Sequence, residues 1–271
     1  MGVMKKFSET NLRNWECRVP LHLKSYPLEK FKQGWDPLFP IEAGEIGDID
    51  GLKVLHLQCH IGMDSLGLVR RGAKVTGLDF SPSAVEAARL LSAETGLDAK
   101  FVQGDVYEAP ELIKTKFDLV YTTWGTITWL PEIAQWAQVV YDMLKRGGRL
   151  YLADGHPSML MMEEENGALV HRYPWHTDPN APLLFAEEIT YTGDALPEEG
   201  SQSYDWAHPL SSIIGGLLDV GMRLDFLHEH ETLPWAYVSL LQKDPDKPRL
   251  YRLPDTMPQL PLSFSIGATK R

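Results

Sequence analysis

The chain has 271 residues, of which 44% are hydrophobic and 23% charged, an ordinary balance for a globular protein with a sizeable core. Its formal net charge of −11 opposes binding to nucleic acid, and the short basic pairs Arg70–Arg71 and Lys145–Arg146 make no basic stripe. No run approaches the roughly 18 apolar residues of a membrane helix, the segment Met1 to Phe7 lacks the apolar core of a signal peptide, and two distant cysteines, Cys17 and Cys59, favour a reducing cytoplasm over a disulfide framework.

The first fifty residues are aromatic and polar without a strand pattern, which predicts a helical cap over 1–50. A first buried strand runs from Lys53 to Leu57 and breaks at Gln58-Cys59-His60-Ile61-Gly62 before a helix beginning near Asp64. The second strand, from Ala73, ends at Asp79. Ser81-Pro82 then supplies an N-cap and a first-turn proline for a helix to Thr95, with Val85, Ala88 and Leu91 on one face and Gly96 as its stop. A third strand, Lys100 to Gln103, ends in Gly104-Asp105, and Phe117 to Thr123 makes a fourth.

A fourth helix is predicted from about Pro131, with Ile133, Trp136, Ala137, Val140, Met143 and Leu144 at helical spacing and Gly147-Gly148 ending it. Arg149 to Ala153 forms a fifth strand that runs into Asp154-Gly155-His156-Pro157. The texture then changes over about 159–205, rich in Pro, Gly, Glu and aromatics, with one strand pair expected around Tyr173 and Ile189 to Tyr191; this reads as an insertion or lid. A helix from Pro209 to Val220, a strand from Met222 to His228 and a last strand from Pro261 to Ile266 complete the chain. Repeated strand-helix order with short connections predicts a doubly wound α/β sheet, mainly parallel, over 51–271.

In such a sheet ligands sit at the carboxyl ends of the strands, so Cys59 to Gly62, Asp79 and Asp105 should converge on one crevice. A dinucleotide loop needs G-x-G-x-x-G so that backbone can approach a pyrophosphate, whereas Gln58 and His60 place side chains where two glycines belong. A nicotinamide-dependent oxidoreductase is therefore disfavoured. There is no serine elbow, Walker loop or H-E-x-x-H, and no cluster of His and Cys with metal-ligand spacing.

The order Val54 to Gly62, then Val75 to Ser81, Gly104-Asp105, Phe117 to Val120 and Leu144 to Leu150 resembles the class I S-adenosylmethionine-dependent methyltransferases. The resemblance covers about residues 50–155. It implies a Rossmann-like methyltransferase sheet of seven strands, the last one antiparallel and inserted beside the fifth. It departs from the family at His56, where an acidic residue is common, and at Gln58 and His60.

The resemblance assigns Asp79 to both ribose hydroxyls, Phe80 to the adenine face, Asp105 to the adenine amino group and the Val106 backbone N–H to the same ring. Gln58, Cys59, His60 and Gly62 would serve the methionine end, with Ser81 and Gly104 flanking, while Thr122, Thr123 and Trp124 would line the crevice between cofactor and acceptor. His156, just past the fifth strand, is the candidate general base; a structural histidine beside Pro157 is the competing reading, and His22, His176 and His208 are weaker candidates.

The expectation is thus a cytoplasmic enzyme transferring methyl from S-adenosyl-L-methionine, with S-adenosyl-L-homocysteine as product, to a small-molecule acceptor. It involves no nucleic acid, membrane or metal. The alternative is a non-catalytic S-adenosylmethionine-binding protein. The aromatic insertion suits either closure over an apolar acceptor or a homodimer interface.

Overall fold

The computed structural model describes residues 2–190 and 192–271. Three helices precede the sheet: α1 (Gly2–Ser25), α2 (Leu28–Lys32) and α3 (Pro40–Glu45). Strand and helix then alternate through β1 (Lys53–Leu57), α4 (Met63–Arg70), β2 (Lys74–Asp79), α5 (Pro82–Thr95), β3 (Lys100–Gln103), α6 (Ala109–Leu112), β4 (Phe117–Thr123), α7 (Ile133–Met143) and β5 (Leu144–Gly155). After α8 (Pro157–Leu160) come two hairpins, β6 (Met162–Glu165) with β7 (Ala168–His171), and β8 (Leu183–Ala186) with β9 (Gln202–Asp205). The chain closes with α9 (Leu210–Asp219), β10 (Met222–His230), the short pair β11 (Gln242–Lys243) and β12 (Tyr251–Arg252), and β13 (Ser263–Lys270).

The main sheet has seven strands in the order β10-β13-β5-β4-β1-β2-β3. Strands β3, β2, β1, β4 and β5 pair in parallel, and β13 lies antiparallel between β5 and β10. The seven strands and the last one antiparallel beside the fifth are as the resemblance implies. The apolar runs of the central strands follow from burial on both faces. Leu55, Val120 and Leu152 face a core built with α7 and α9, while their neighbours Val54, Leu119 and Tyr151 face one built with Leu38, Ile46 and α4.

Local chemistry sets the helix starts. Ser81 caps α5, its Oγ accepting from Ala84 N at 3.0 Å, with Pro82 at the first turn and Gly96 left-handed at the end. The helix expected to run to Gly147-Gly148 ends instead at Met143, because Leu144 already pairs with Phe117 and a bulge follows before Arg149 pairs with Leu119.

The expected strand pair of the insertion is replaced by the two hairpins. Tyr173 lies in no strand, Ile189 makes an isolated bridge to Ala195, and Tyr191 lies outside the described residues. The strand expected from Pro261 begins at Ser263 and continues to Lys270. Between β10 and β13 an irregular segment carrying Leu233, Leu241 and Leu253 packs on Met159, forming a second wall at the same end of the sheet as the insertion.

Candidate active site

Beyond β1 the chain turns through three left-handed residues, Gln58 (φ 55°), His60 (φ 50°) and Gly62 (φ 74°). A Cβ at position 62 would come within 2.7 Å of Ala88 Cβ and 2.8 Å of the Phe101 ring, so glycine is required by both conformation and packing. Gln58 and His60 adopt the same region at a cost of about 1–2 kcal/mol each. Their side chains hold the loop in place. Gln58 Nε2 donates to Thr126 O at 2.8 Å, and His60 Nε2 lies 2.9 Å from Nδ1 of His22 on α1. Burial keeps both imidazoles neutral, with His22 pushed down to about 4.

Asp79, at the carboxyl end of β2, fastens this loop to the next. Its Oδ2 accepts from His60 N at 2.7 Å and its Oδ1 from Ser81 N at 3.0 Å. Burial raises its pKa to about 6 against the pull of those two donors. Phe80 and Val106 line the same cavity, as does Asp105, which caps the turn after β3 by accepting from Tyr107 N at 2.9 Å.

The cavity occupies about 1390 Å³, more than the few hundred to about 1000 Å³ typical of a single small-molecule site. Ten of the thirteen residues expected at a cofactor site line it: Gln58, Cys59, His60, Asp79, Phe80, Gly104, Asp105, Val106, Thr123 and Trp124. Gly62 packs beneath against Ala88 and Phe101, Ser81 caps α5 and donates to Glu16 of α1, and Thr122 is buried within the sheet.

His156 is absent from the lining. Its Nδ1 accepts from Ser158 N at 3.1 Å at the start of α8, its Nε2 lies 2.9 Å from Glu229 Oε1, and its ring meets Phe264 edge-on. The side chain therefore faces the β10 and β13 side, and its geometry is that of a cap. His208 is likewise committed, with Nε2 at 2.6 Å from Leu130 O.

Several cavity residues carried no sequence signal. Asp154, buried at the end of β5, accepts from Gly125 N at 2.6 Å, Thr126 N at 3.0 Å and Ile127 N at 3.2 Å, and so fixes the loop after β4 where Trp124 is also left-handed (φ 54°). Its place after a strand was visible in the sequence; its backbone partners in the loop after β4 were not. Trp15 of α1 packs on His60 and Trp129, at centroid distances of 5.0 and 5.3 Å. Asp205, at the end of β9, faces the cavity across from the strand ends.

The family of methyltransferase domains matches residues 54–148. A ubiquinone biosynthesis O-methyltransferase from Aeromonas salmonicida is 26% identical over 192 residues, covering 68% of this chain and 80% of that protein. Its counterpart from Photorhabdus laumondii is 32% identical over 107 residues, 40% of this chain, and the chain spans 44% of that relative's length. Among solved structures, an S-adenosylmethionine-dependent methyltransferase from Mesorhizobium loti superposes with a TM-score of 0.58 at 15% identity, over 88% of this chain and all of that one. A glycopeptide N-methyltransferase in complex with S-adenosylmethionine gives 0.53 at 17% identity, over 84% and 91%.

Proposed function

Since this chain belongs to the class I S-adenosylmethionine-dependent methyltransferases, we propose that it binds S-adenosylmethionine at the ends of β1 to β4 and transfers its methyl group to a small molecule held under the insertion. The observation that carries this reading is Asp79. It is a buried carboxylate at the end of β2 whose two known hydrogen bonds come from backbone and leave acceptor capacity facing the cavity.

The residues fit the group. Asp79 would accept from the ribose hydroxyls, Phe80 would cover the adenine face, and Asp105 with the Val106 backbone would meet the ring edge. The left-handed turns at Gln58 and His60 give the β1 loop the backbone course that glycines supply elsewhere. Their side chains occupy space that a pyrophosphate would need, which favours a nucleoside without phosphates over a dinucleotide.

When bound, S-adenosylmethionine supplies a methyl group already activated on a cationic sulfur, so an acceptor needs a free lone pair, alignment and exclusion of water. The protein's part is positional. Asp154 fixes residues 125–127, Trp124 packs against Phe39 and Trp235 at centroid distances of 6.1 and 6.3 Å, and α1 covers the β1 loop through Trp15 and His22. Calorimetric titration with S-adenosylmethionine, S-adenosylhomocysteine and NADH in parallel tests the reading. Micromolar binding of the first two alone is expected; binding of NADH alone would overturn it.

A further inference from the structure

At the acceptor end of the cavity one carboxylate stands apart from the others. Glu187 is paired with Arg18, and Glu163 with Arg172 at 2.7 Å. Asp205 has no ion-pair partner among the described residues. Its Oδ2 takes one long hydrogen bond, 3.4 Å from Thr128 Oγ1, the Ser203 hydroxyl lies close enough to act on the carboxylate, and Oδ1 is buried without a well-formed hydrogen bond among the described residues.

A buried carboxylate oxygen without a donor is costly, and a folded protein tolerates one where a ligand supplies what is missing. The placement agrees with that role. The next residue, Trp206, donates its backbone N–H to Thr128 O at 2.7 Å, which fixes Asp205 against the turn after β4. The same turn is held to the β1 loop by Gln58. Asp205 thus shares one cavity with the strand ends that would hold the cofactor.

We propose that Asp205 binds the acceptor as an ammonium and takes one proton from it, so that the acceptor is a primary or secondary amine carried on an apolar body. The inference rests on the methyltransferase reading of the same site. A hydroxyl would give Oδ1 a donor but add no positive charge beyond Arg18, which is already paired with Glu187, whereas an ammonium provides both. The walls suit a cation on an apolar body, since the aromatic residues Tyr173, Phe185, Trp206 and Tyr237 line the cavity.

Proton removal leaves a neutral amine whose lone pair would form the new N–C bond as the S–CH3 bond breaks and its electron pair returns to sulfur, giving S-adenosylhomocysteine and a cationic N-methylated product; the protonated Asp205 returns its proton to water after product leaves. The facing groups tune that exchange. Burial and the charge of Glu187 raise Asp205 to about 7, while the Thr128 and Ser203 hydroxyls and Arg18 draw it down. Tyr237 stays un-ionised, its pKa pushed upward chiefly by burial.

The test uses the full chain loaded with S-adenosylhomocysteine, titrated calorimetrically with benzylamine, phenethylamine and N-methylphenethylamine and with the matched alcohols, alongside the Asp205→Asn variant. Wild type should bind amines and no alcohols. Asp205→Asn should weaken amine binding at least tenfold, keep S-adenosylhomocysteine affinity within twofold, and keep or raise the melting temperature, since the neutral side chain relieves a buried charge. Turnover of a bound amine should rise with pH through about 7 in wild type alone, because the base must be ionised. Preference for the alcohols, no binding by any amine, or unchanged amine affinity in the variant overturns the proposal. Failure of wild type to bind S-adenosylhomocysteine is seen before any amine is added and overturns the cofactor reading instead.

Discussion

Gln58 and His60 sit where a glycine-rich loop would ordinarily turn, and both take the left-handed conformation that glycine adopts freely. The sequence therefore departs from the usual residues while the backbone does not, and the strain is held by bonds to Thr126 and His22 and by the His60 N–H on Asp79. Asp79 consequently has two duties, shaping the loop and facing the cavity. Asp79→Asn keeps one acceptor oxygen but turns an amide NH2 toward a backbone N–H. S-adenosylmethionine affinity should fall at least tenfold by calorimetry, and the His60 and Ser81 amides should exchange faster by hydrogen exchange. Unchanged affinity would remove the ribose assignment, and unchanged exchange would mean that something else holds the loop. His156, legible as a histidine beyond β5, turns away from the cavity because Ser158 and Glu229 take its two ring nitrogens.

At the scale of elements, α1 and the insertion hold each other. Asn11 exchanges two bonds with the Tyr204 backbone, Nδ2 to O at 2.8 Å and N to Oδ1 at 2.7 Å, and Asn14 Nδ2 donates to Gly200 O at 2.6 Å. Arg18 adds its pair with Glu187. These polar contacts dock β9 on the helix together with Phe7, whose ring packs on Tyr204 and Trp206 at centroid distances of 4.6 and 6.0 Å. Asn11→Ala leaves a backbone donor and acceptor without partners, a loss of about 1–3 kcal/mol borne by the docked hairpin. Limited proteolysis should then cut within 183–205 several-fold faster while the seven-stranded sheet stays intact; an unchanged cleavage pattern would show that the hairpin is ordered by other means. The same chemistry explains what the sequence concealed. Strands β1 to β5 were readable because both faces are apolar, whereas β8 alternates half-buried and exposed residues over four positions and depends on partners distant in sequence. The helices α1 to α3 were visible only as the lack of a strand pattern.

At the scale of the whole molecule, function has placed ionisable groups where burial works against their charge. Asp64 and Asp79 are raised to about 6, Asp205 to about 7 and Glu42, on α3 with Oε1 accepting from Phe39 N at 2.6 Å, to about 8. Burial lowers the buried histidines, His22 to about 4 and His56 to about 3. Strand ends announced the carboxylate of Asp79, but Glu42 and Asp205 carry no motif because their burial comes from segments far along the chain. The two sets pull stability in opposite directions. A carboxylate raised in the fold binds a proton that the unfolded chain has already released, so stability falls as pH rises toward the folded pKa; a histidine lowered in the fold makes stability rise with pH up to about 6.5. Between about pH 4 and 6 the sets offset one another, and of these groups Asp205 and Glu42 still titrate above 6.5. Stability should therefore hold to about pH 6.5 and decline toward pH 8, with Glu42 alone contributing about 2 kcal/mol of the fall. Glu42→Gln keeps the Oε1 acceptor for Phe39 N and removes the titration. Urea unfolding at pH 6.5 and pH 8.5 should show a fall in wild type larger by about 2 kcal/mol than in that variant, whose remaining fall belongs to Asp205, and the same decline in both proteins would place the titration elsewhere.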